Sequence, residues 1–424
     1  MRRTCLAVGA AVVLGGLLAA EEAQKAAPKV AQGPALNFQK IVLEPLAPPE
    51  PKSAKQWTQP GYRNEGAAVF DVDRDGQLDI VAGAWWYAGP GFKDKYPIRD
   101  LPQQGEFCNN YGDFALDVNQ DGWTDLITGG WFTREIAWLE NPKGSKGSRW
   151  ERHLIDDLTK YKPQSAKADA KPQNVFIEAL VLADLDGDGQ SDLLPNTSGP
   201  VMFYRVNPGT ENQFTRVDVA PVGGGHGVGA GDLNGDGRPD IITPSGWYEA
   251  PQKPLQEAWK WHTEFNLGHA GIPILVYDVN ADGLPDIVFG QGHDYGVDWL
   301  QQRKNSSGER QWVKHPIDYS FSQSHSWTFV PDLLGDGRPG FLTGKRIRGH
   351  GDNDPGSFDP RCIFWYTIDR SAGEPKFVRH TISYAEDAAT GMQIQVADLD
   401  RDGRLDIVVP GKSGLYILKG TPQK

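Results

Sequence analysis

The chain has 424 residues, with 43 Lys+Arg against 55 Asp+Glu and a formal net charge of -12. An acidic balance without any basic cluster speaks against nucleic acid as a partner, because phosphate recognition runs on gathered cations. The 50 Gly, 31 Pro and 14 Trp exclude long helices and favour short strands joined by turns.

Arg2 and Arg3 precede an apolar run from Leu6 to Leu18 that ends in Ala19 and Ala20. This pattern reads residues 1–20 as a secretory signal peptide, too short in its apolar part to span a bilayer comfortably. The expected location is periplasmic or extracellular, with no membrane span after cleavage. Residues 21–35 are rich in Ala, Lys and Pro and read as a linker; residues 421–424 read as a tail. Cys108 and Cys362 are far apart and lack C-x-x-C spacing, so no disulfide framework is expected.

One unit then recurs seven times: apolar alternation, an Asp-rich Gly turn and a short β-branched run. The turns start at Asp71, Asp117, Asp184, Asp232, Asp278, Asp332 and Asp398. Between them recurs an aromatic residue followed by a basic or polar pair, at Phe38, Trp150, Phe214, Trp259, Trp312 and Phe377, with a weaker copy near Phe92. Period-two alternation makes these segments half-buried strands. Seven such units predict an all-β fold, a seven-bladed β-propeller over residues 36–420. The spare strand at Phe38 is expected to complete the last blade and close the ring.

The turns follow D-x-[DN]-x-[DN]-G-x-x-D, which offers oxygen ligands at its first, third, fifth and ninth positions. A hard cation such as Ca2+ takes several oxygens at roughly 2.3–2.6 Å, and Gly at the sixth position permits the sharp turn. The predicted calcium ligands are Asp71, Asp73, Asp75 and Asp79; Asp117, Asn119, Asp121 and Asp125; and Asp184, Asp186, Asp188 and Asp192. They continue with Asp232, Asn234, Asp236 and Asp240; Asp278, Asn280, Asp282 and Asp286; and Asp398, Asp400, Asp402 and Asp406. About six structural Ca2+ ions are therefore expected. In the turn at Asp332, Leu334 and Gly340 replace two ligands, and no calcium is expected there. Strand formers after the ninth position exclude an EF-hand, whose loop needs a helix on either side.

On these motifs the chain resembles FG-GAP, or VCBS-type, repeat proteins such as the integrin α-subunit propellers. That resemblance covers roughly residues 36–420 and implies the fold more than the function.

Of nine histidines, His153, His262, His315 and His380 recur at one place in the aromatic-basic strand and read as packing. The other five precede an Asp turn by one strand's length (His226, His269, His325) or follow the next strand (His293, His350). Antiparallel geometry sends all five to one end of the ring, opposite the calcium turns. Glu65, Glu178, Trp247, Lys345, Arg346 and Gln393 map to the same rim, with Trp85, Trp86, Trp131 and Cys108 within reach. Imidazoles converging with a few carboxylates and cations suit a borderline metal such as Zn2+ or proton transfer.

Four segments, FSQSHSW from Phe321, TGKRIRGHG from Thr343, GHDYGVDW from Gly292 and GHGVGAGD from Gly225, look like the propeller domain of aldos-2-ulose dehydratase and its bacterial relatives. That resemblance implies metal-assisted dehydration of keto-sugars. It makes His226, His293, His325 and His350 metal or acid/base groups and has Lys345 and Arg346 orient the sugar. Glu65, Glu178, Trp247, His269 and Gln393 are expected to contact substrate. Unlike the fungal enzyme, this sequence runs to Lys424 without cupin domains. The alternative is a non-catalytic propeller that binds cell-surface glycan or protein through the same face. Nothing resembles a phosphate-cradling Gly loop, a serine triad or a haem-attachment motif.

Overall fold

Seven four-stranded antiparallel sheets follow one another along the chain. The computed structural model describes residues 29–45, 64–167 and 169–423; the signal-peptide reading of residues 1–20 and most of the linker lie outside these. Blades 1 to 6 span residues 67–97, 112–157, 177–220, 229–262, 275–322 and 327–384. Blade 7 takes three strands from residues 395–420 and its outermost strand, Phe38–Pro45, from the other end of the chain, paired antiparallel with Gly414–Gly420. Within the segment read as a linker, Ala31–Gln32 instead pair in parallel with Val378–Arg379 and add a fifth strand to blade 6. Among the described residues no helix is long and apolar enough to cross a membrane.

Burial explains why these strands form. The second strand of each blade is covered on both faces by neighbouring blades, so it reads as a continuous buried run, as in Asp286–Gly290 and Asp406–Gly411. Between blades 2 and 3, for example, Ile127, Ile136 and Trp138 pack with Ile177, Leu193 and Tyr204. Burying each such side chain contributes about 1.5–3 kcal/mol. The outer strands face solvent on one side and alternate accordingly.

The four histidines read as packing occupy equivalent cross-strand positions. His153, His262, His315 and His380 sit opposite Trp138, Trp247, Trp299 and Trp365. The first three stack on their Trp at 4.2, 4.2 and 4.4 Å. Each places Nε2 on a polar group two residues beyond that Trp: Glu140, Glu249, Gln301 and Thr367. Placed at Trp247, this pairing corrects an expectation. Trp247 is fully buried between Arg310 and His262 and has no surface for a substrate.

The Asp turns join the first and second strands of every blade. Their sixth-position glycines, such as Gly76, Gly189 and Gly403, have φ of 86°, 87° and 82°, a region that favours Gly over any side chain. Each of these amides donates to the turn's first Asp. The ninth Asp is a staple. Asp125 accepts from Val118 N and Asn141 N, and Asp240 from Leu233 N and Ala250 N. Hydrogen bonds to a charged group contribute about 1.5–3 kcal/mol each. Blade 6 has no room for this staple, because a Cβ on Gly340 would meet the Trp365 ring and Tyr366 O at 2.7 and 2.2 Å.

Candidate functional site

The donor set of the turns fits a hard cation. Ligand oxygens of Asp71, Asp73 and Asp79 lie within 4.8 Å of one another, as do those of Asp184, Asp186 and Asp192. Asp71 Oδ1, Asp73 Oδ1, Asp117 Oδ1 and Asp400 Oδ1 are buried without a hydrogen-bond partner, a costly state for a carboxylate unless a cation satisfies it. Basic side chains approach the same groups: Lys146 lies 3.0 Å from Asp73, and Arg205 lies 2.7 Å from both Asp186 and Asp188.

At the other end of the ring, the loops after and before the strands bring histidines together. One ligand atom from each of Glu178, His226, His293 and His325 lies within 4.8 Å of all the others. Ring centroids of His226, His293 and His325 are 4.2, 4.8 and 5.2 Å apart. Each imidazole is held from behind through Nδ1. His226 donates to Ala270 O at 2.7 Å, His293 to Asp354 Oδ2 at 2.8 Å, and His325 to Gln323 O at 3.3 Å. With Nδ1 so committed, the bare nitrogen of each ring is Nε2. All three Nε2 atoms are buried without a hydrogen-bond partner, and that of His226 lies 3.4 Å from Glu178 Oε1. Two glycines permit this density, since a Cβ on Gly292 would meet His226 Cε1 at 2.4 Å and one on Gly349 would meet His325 Cε1 at 2.9 Å.

Electrostatics follow from burial. Burial, Arg346 and the neighbouring imidazoles push His325 well below its ordinary value, and burial first of all brings His293 down to about 4. Burial acts to raise Glu178, but His226, Arg346 and His293 hold it at about 2. Burial acts to lower His226, and Glu178 overcomes it and raises the ring. Two neutral rings, a third ring paired with a carboxylate, and that carboxylate form a mixed nitrogen and oxygen set. Such sets suit zinc and its first-row neighbours.

A cavity of about 480 Å³ adjoins this cluster, lined by Phe107, Tyr111, Trp131, Phe132, His350 and Asn353 together with Glu106, Glu178 and Arg346. Glu178 therefore faces both the histidines and the cavity. His350 is not one of the converging four; it stacks on His293 at 3.7 Å and places Nδ1 3.2 Å from Asp354 Oδ1. His269 is more peripheral, 5.7 Å from His293 and 6.1 Å from His226.

Other rim residues have structural duties. Arg346 forms two hydrogen bonds to Glu65, at 3.0 and 3.1 Å, and both side chains are buried. Lys345 Nζ points away from the cavity into the 348–359 insertion, donating to Gly356 O and Ser322 Oγ at 2.6 and 2.8 Å. Burial lowers it to about 8. Gln393 accepts from Ala67 N and Asp113 N and so ties blades 1, 2 and 7 together. Cys108 and Cys362 are free thiols, both buried. Residues that the sequence does not single out include Asp354 and Gln323 and, in the cavity wall, Glu106, Phe107, Tyr111, Phe132 and Asn353. Asp354 and Phe107 lie in insertions without repeat counterparts. The local signal was the run of Asp and Gly after His350.

A calcium-type Asp turn opposite a buried histidine cluster thus defines a seven-bladed propeller with two chemically different ends. Residues 184–243 match the family model of an FG-GAP-like repeat. No curated protein matches the chain. Solved structures similar to it include an Agrocybe aegerita lectin that specifically recognises non-reducing terminal N-acetylglucosamine. It is 17% identical over 76% of this chain and 81% of that one, with a TM-score of 0.42. A rhamnogalacturonan lyase of Bacillus licheniformis is 15% identical over 91% of this chain and 76% of that one, with a TM-score of 0.42. The V. cholerae biofilm matrix protein Bap1 is 12% identical over 91% and 85%, with a TM-score of 0.34.

Proposed function

We propose that this chain is a secreted, calcium-bearing propeller whose histidine face holds one Zn2+ or similar divalent metal and acts on a carbohydrate, as a lyase of the keto-sugar dehydratase type. The observation that carries the reading is the convergence of three Nε2 atoms on Glu178, those of His293 and His325 without a hydrogen-bond partner and that of His226 beside the carboxylate, each ring braced through Nδ1. Imidazoles that bind metal are usually braced in this way. The neighbouring cavity has an aromatic wall for the C–H face of a sugar and a polar wall for its hydroxyls.

A metal held by His226, His293, His325 and Glu178 would polarise a substrate carbonyl and stabilise the negative charge that develops on its oxygen. His350, oriented by Asp354, takes the proton from the carbon next to that carbonyl. The C–H pair becomes the new C=C bond, and the β-hydroxyl leaves with its electron pair and takes the proton back from His350, so that water departs and the imidazole is neutral again. Glu178, Tyr111 and Asn353 orient the sugar, and the aromatic wall excludes bulk water.

One observation favours the second reading, a non-catalytic propeller that binds glycan or protein. Lys345 and Arg346 are both engaged by protein groups, so neither is free to polarise a sugar carbonyl. Elemental analysis, and incubation with keto-sugars while following enone absorbance, separate the two. Metal beyond calcium together with turnover supports the lyase. No transition metal and no turnover, with glycan binding intact in His226→Ala and His325→Ala, would leave the binding module.

A further inference from the structure

The insertion at residues 348–359 is a wall of the cavity that belongs to no blade strand, and it brings His350, Gly351 and Asn353 to the ligand side. Its fastening is unusual. Asp354, with only 8% of its side chain exposed, spends one carboxylate on both sides of the wall. Its Oδ2 accepts from His293 Nδ1 at 2.8 Å and from His350 N at 3.0 Å, while Oδ1 lies 3.2 Å from His350 Nδ1. His293 is in turn one of the four converging groups. The insertion also leans on His325, because Gln323 accepts from Gly349 N at 2.7 Å while its own carbonyl holds His325 Nδ1.

We propose that Asp354 is a positioning residue that latches this wall to the metal centre, so that metal loading and ordering of the cavity are one coupled event. The inference rests on the metal-centre reading above and adds the means by which the site is regulated. The physical basis is simple. A cation on His293 Nε2 polarises the ring and strengthens the Nδ1–H···Asp354 bond. The same carboxylate fixes the backbone and side chain of His350. Whatever free energy the metal gains from an ordered insertion, the insertion gains from the metal, because coupling between two sites is reciprocal.

The test uses the whole chain with calcium present and Zn2+ as the probe. Two quantities are read: zinc affinity by competition with a chelating dye, and amide hydrogen exchange of residues 349–357. In the wild type, zinc slows exchange across that segment. In Asp354→Asn, zinc affinity falls about 10–100-fold, the usual cost of losing such a partner, and the slowing disappears even at saturating zinc. Asp352→Asn, in the same insertion but paired with Arg348 at 2.6 Å, keeps both properties; Asp354→Glu restores part of the affinity. Wild-type affinity and slowing in Asp354→Asn overturn the latch. So does an equal loss in Asp352→Asn, which marks general loosening. No exchange slowing in zinc-loaded wild type overturns it without any variant. Failure of the wild type to take up zinc removes the metal centre itself, a separate outcome.

Discussion

The two ends of this ring are built by opposite logics. The Asp-turn end is periodic: one motif is repeated, and each copy lies within a single local segment. The histidine end is aperiodic. His226, His293, His325 and Glu178 come from blades 3 to 6 and touch only because the ring brings them together. Repetition serves stability, since each staple supports its own blade. Convergence gathers donors that no single blade owns.

Calcium removal probes the periodic end and carries the largest expected effect. Each ion bound only by the folded state contributes about 2.7 kcal/mol at a free concentration 100 times its Kd. Chelation of about six sites is expected to lower the melting temperature more than any single substitution does. An unchanged melting temperature in calorimetry contradicts the calcium assignment.

His325→Ala probes the other end. Zinc per chain is expected to fall from one to none in elemental analysis, while calcium content stays the same. Gly292→Ala, whose added Cβ would displace His226, is expected to do the same without removing a ligand. If either variant retains full zinc, the metal lies elsewhere.

A smaller effect separates staple from ligand. Asp125→Ala leaves the buried amides of Val118 and Asn141 without their acceptor. An unsatisfied buried group costs about 1–3 kcal/mol, read from the urea midpoint of both proteins after calcium is chelated, so that no ion contributes. A midpoint within error of chelated wild type would show that the ninth Asp acts solely through its ion.

How far the sequence disclosed each end follows from the same contrast. The blades were legible because Asp, Gly and the aromatic-basic strand recur at fixed local spacing. Counting back one strand from each Asp turn also puts His226 and His325 at one end of the ring, where their rings lie 5.2 Å apart. The method failed where local order gives no guide. Lys345 and Arg346 are neighbours, and neighbours at a strand end point opposite ways, so both cannot line one cavity. Trp247 was assigned to the rim from its place after a strand, but its cross-strand partner His262 puts it in the core. Asp354 was invisible because nothing in a non-repeating insertion reports what it will meet.

The smallest expected effect tests whether ligand counting in the turns is sound. The turn at Asp332 keeps its first Asp, whose Oδ1 accepts from Asp336 N at 2.9 Å, and its sixth-position Gly337 has φ of 77°. Its backbone is therefore shaped like the others. Leu334 and Gly340 leave two of the four oxygen positions unfilled, and Arg338 occupies Asp336 at 2.9 Å. Asp332→Asn is expected to change stability by no more than about 0.5 kcal/mol, as at an ordinary surface site, and to leave the calcium count unaltered. Asp398→Asn, at the matching position of an intact turn, is expected to lose one ion. A drop in calcium on Asp332→Asn would mean that turn shape, rather than the number of carboxylates, decides which blades hold a cation.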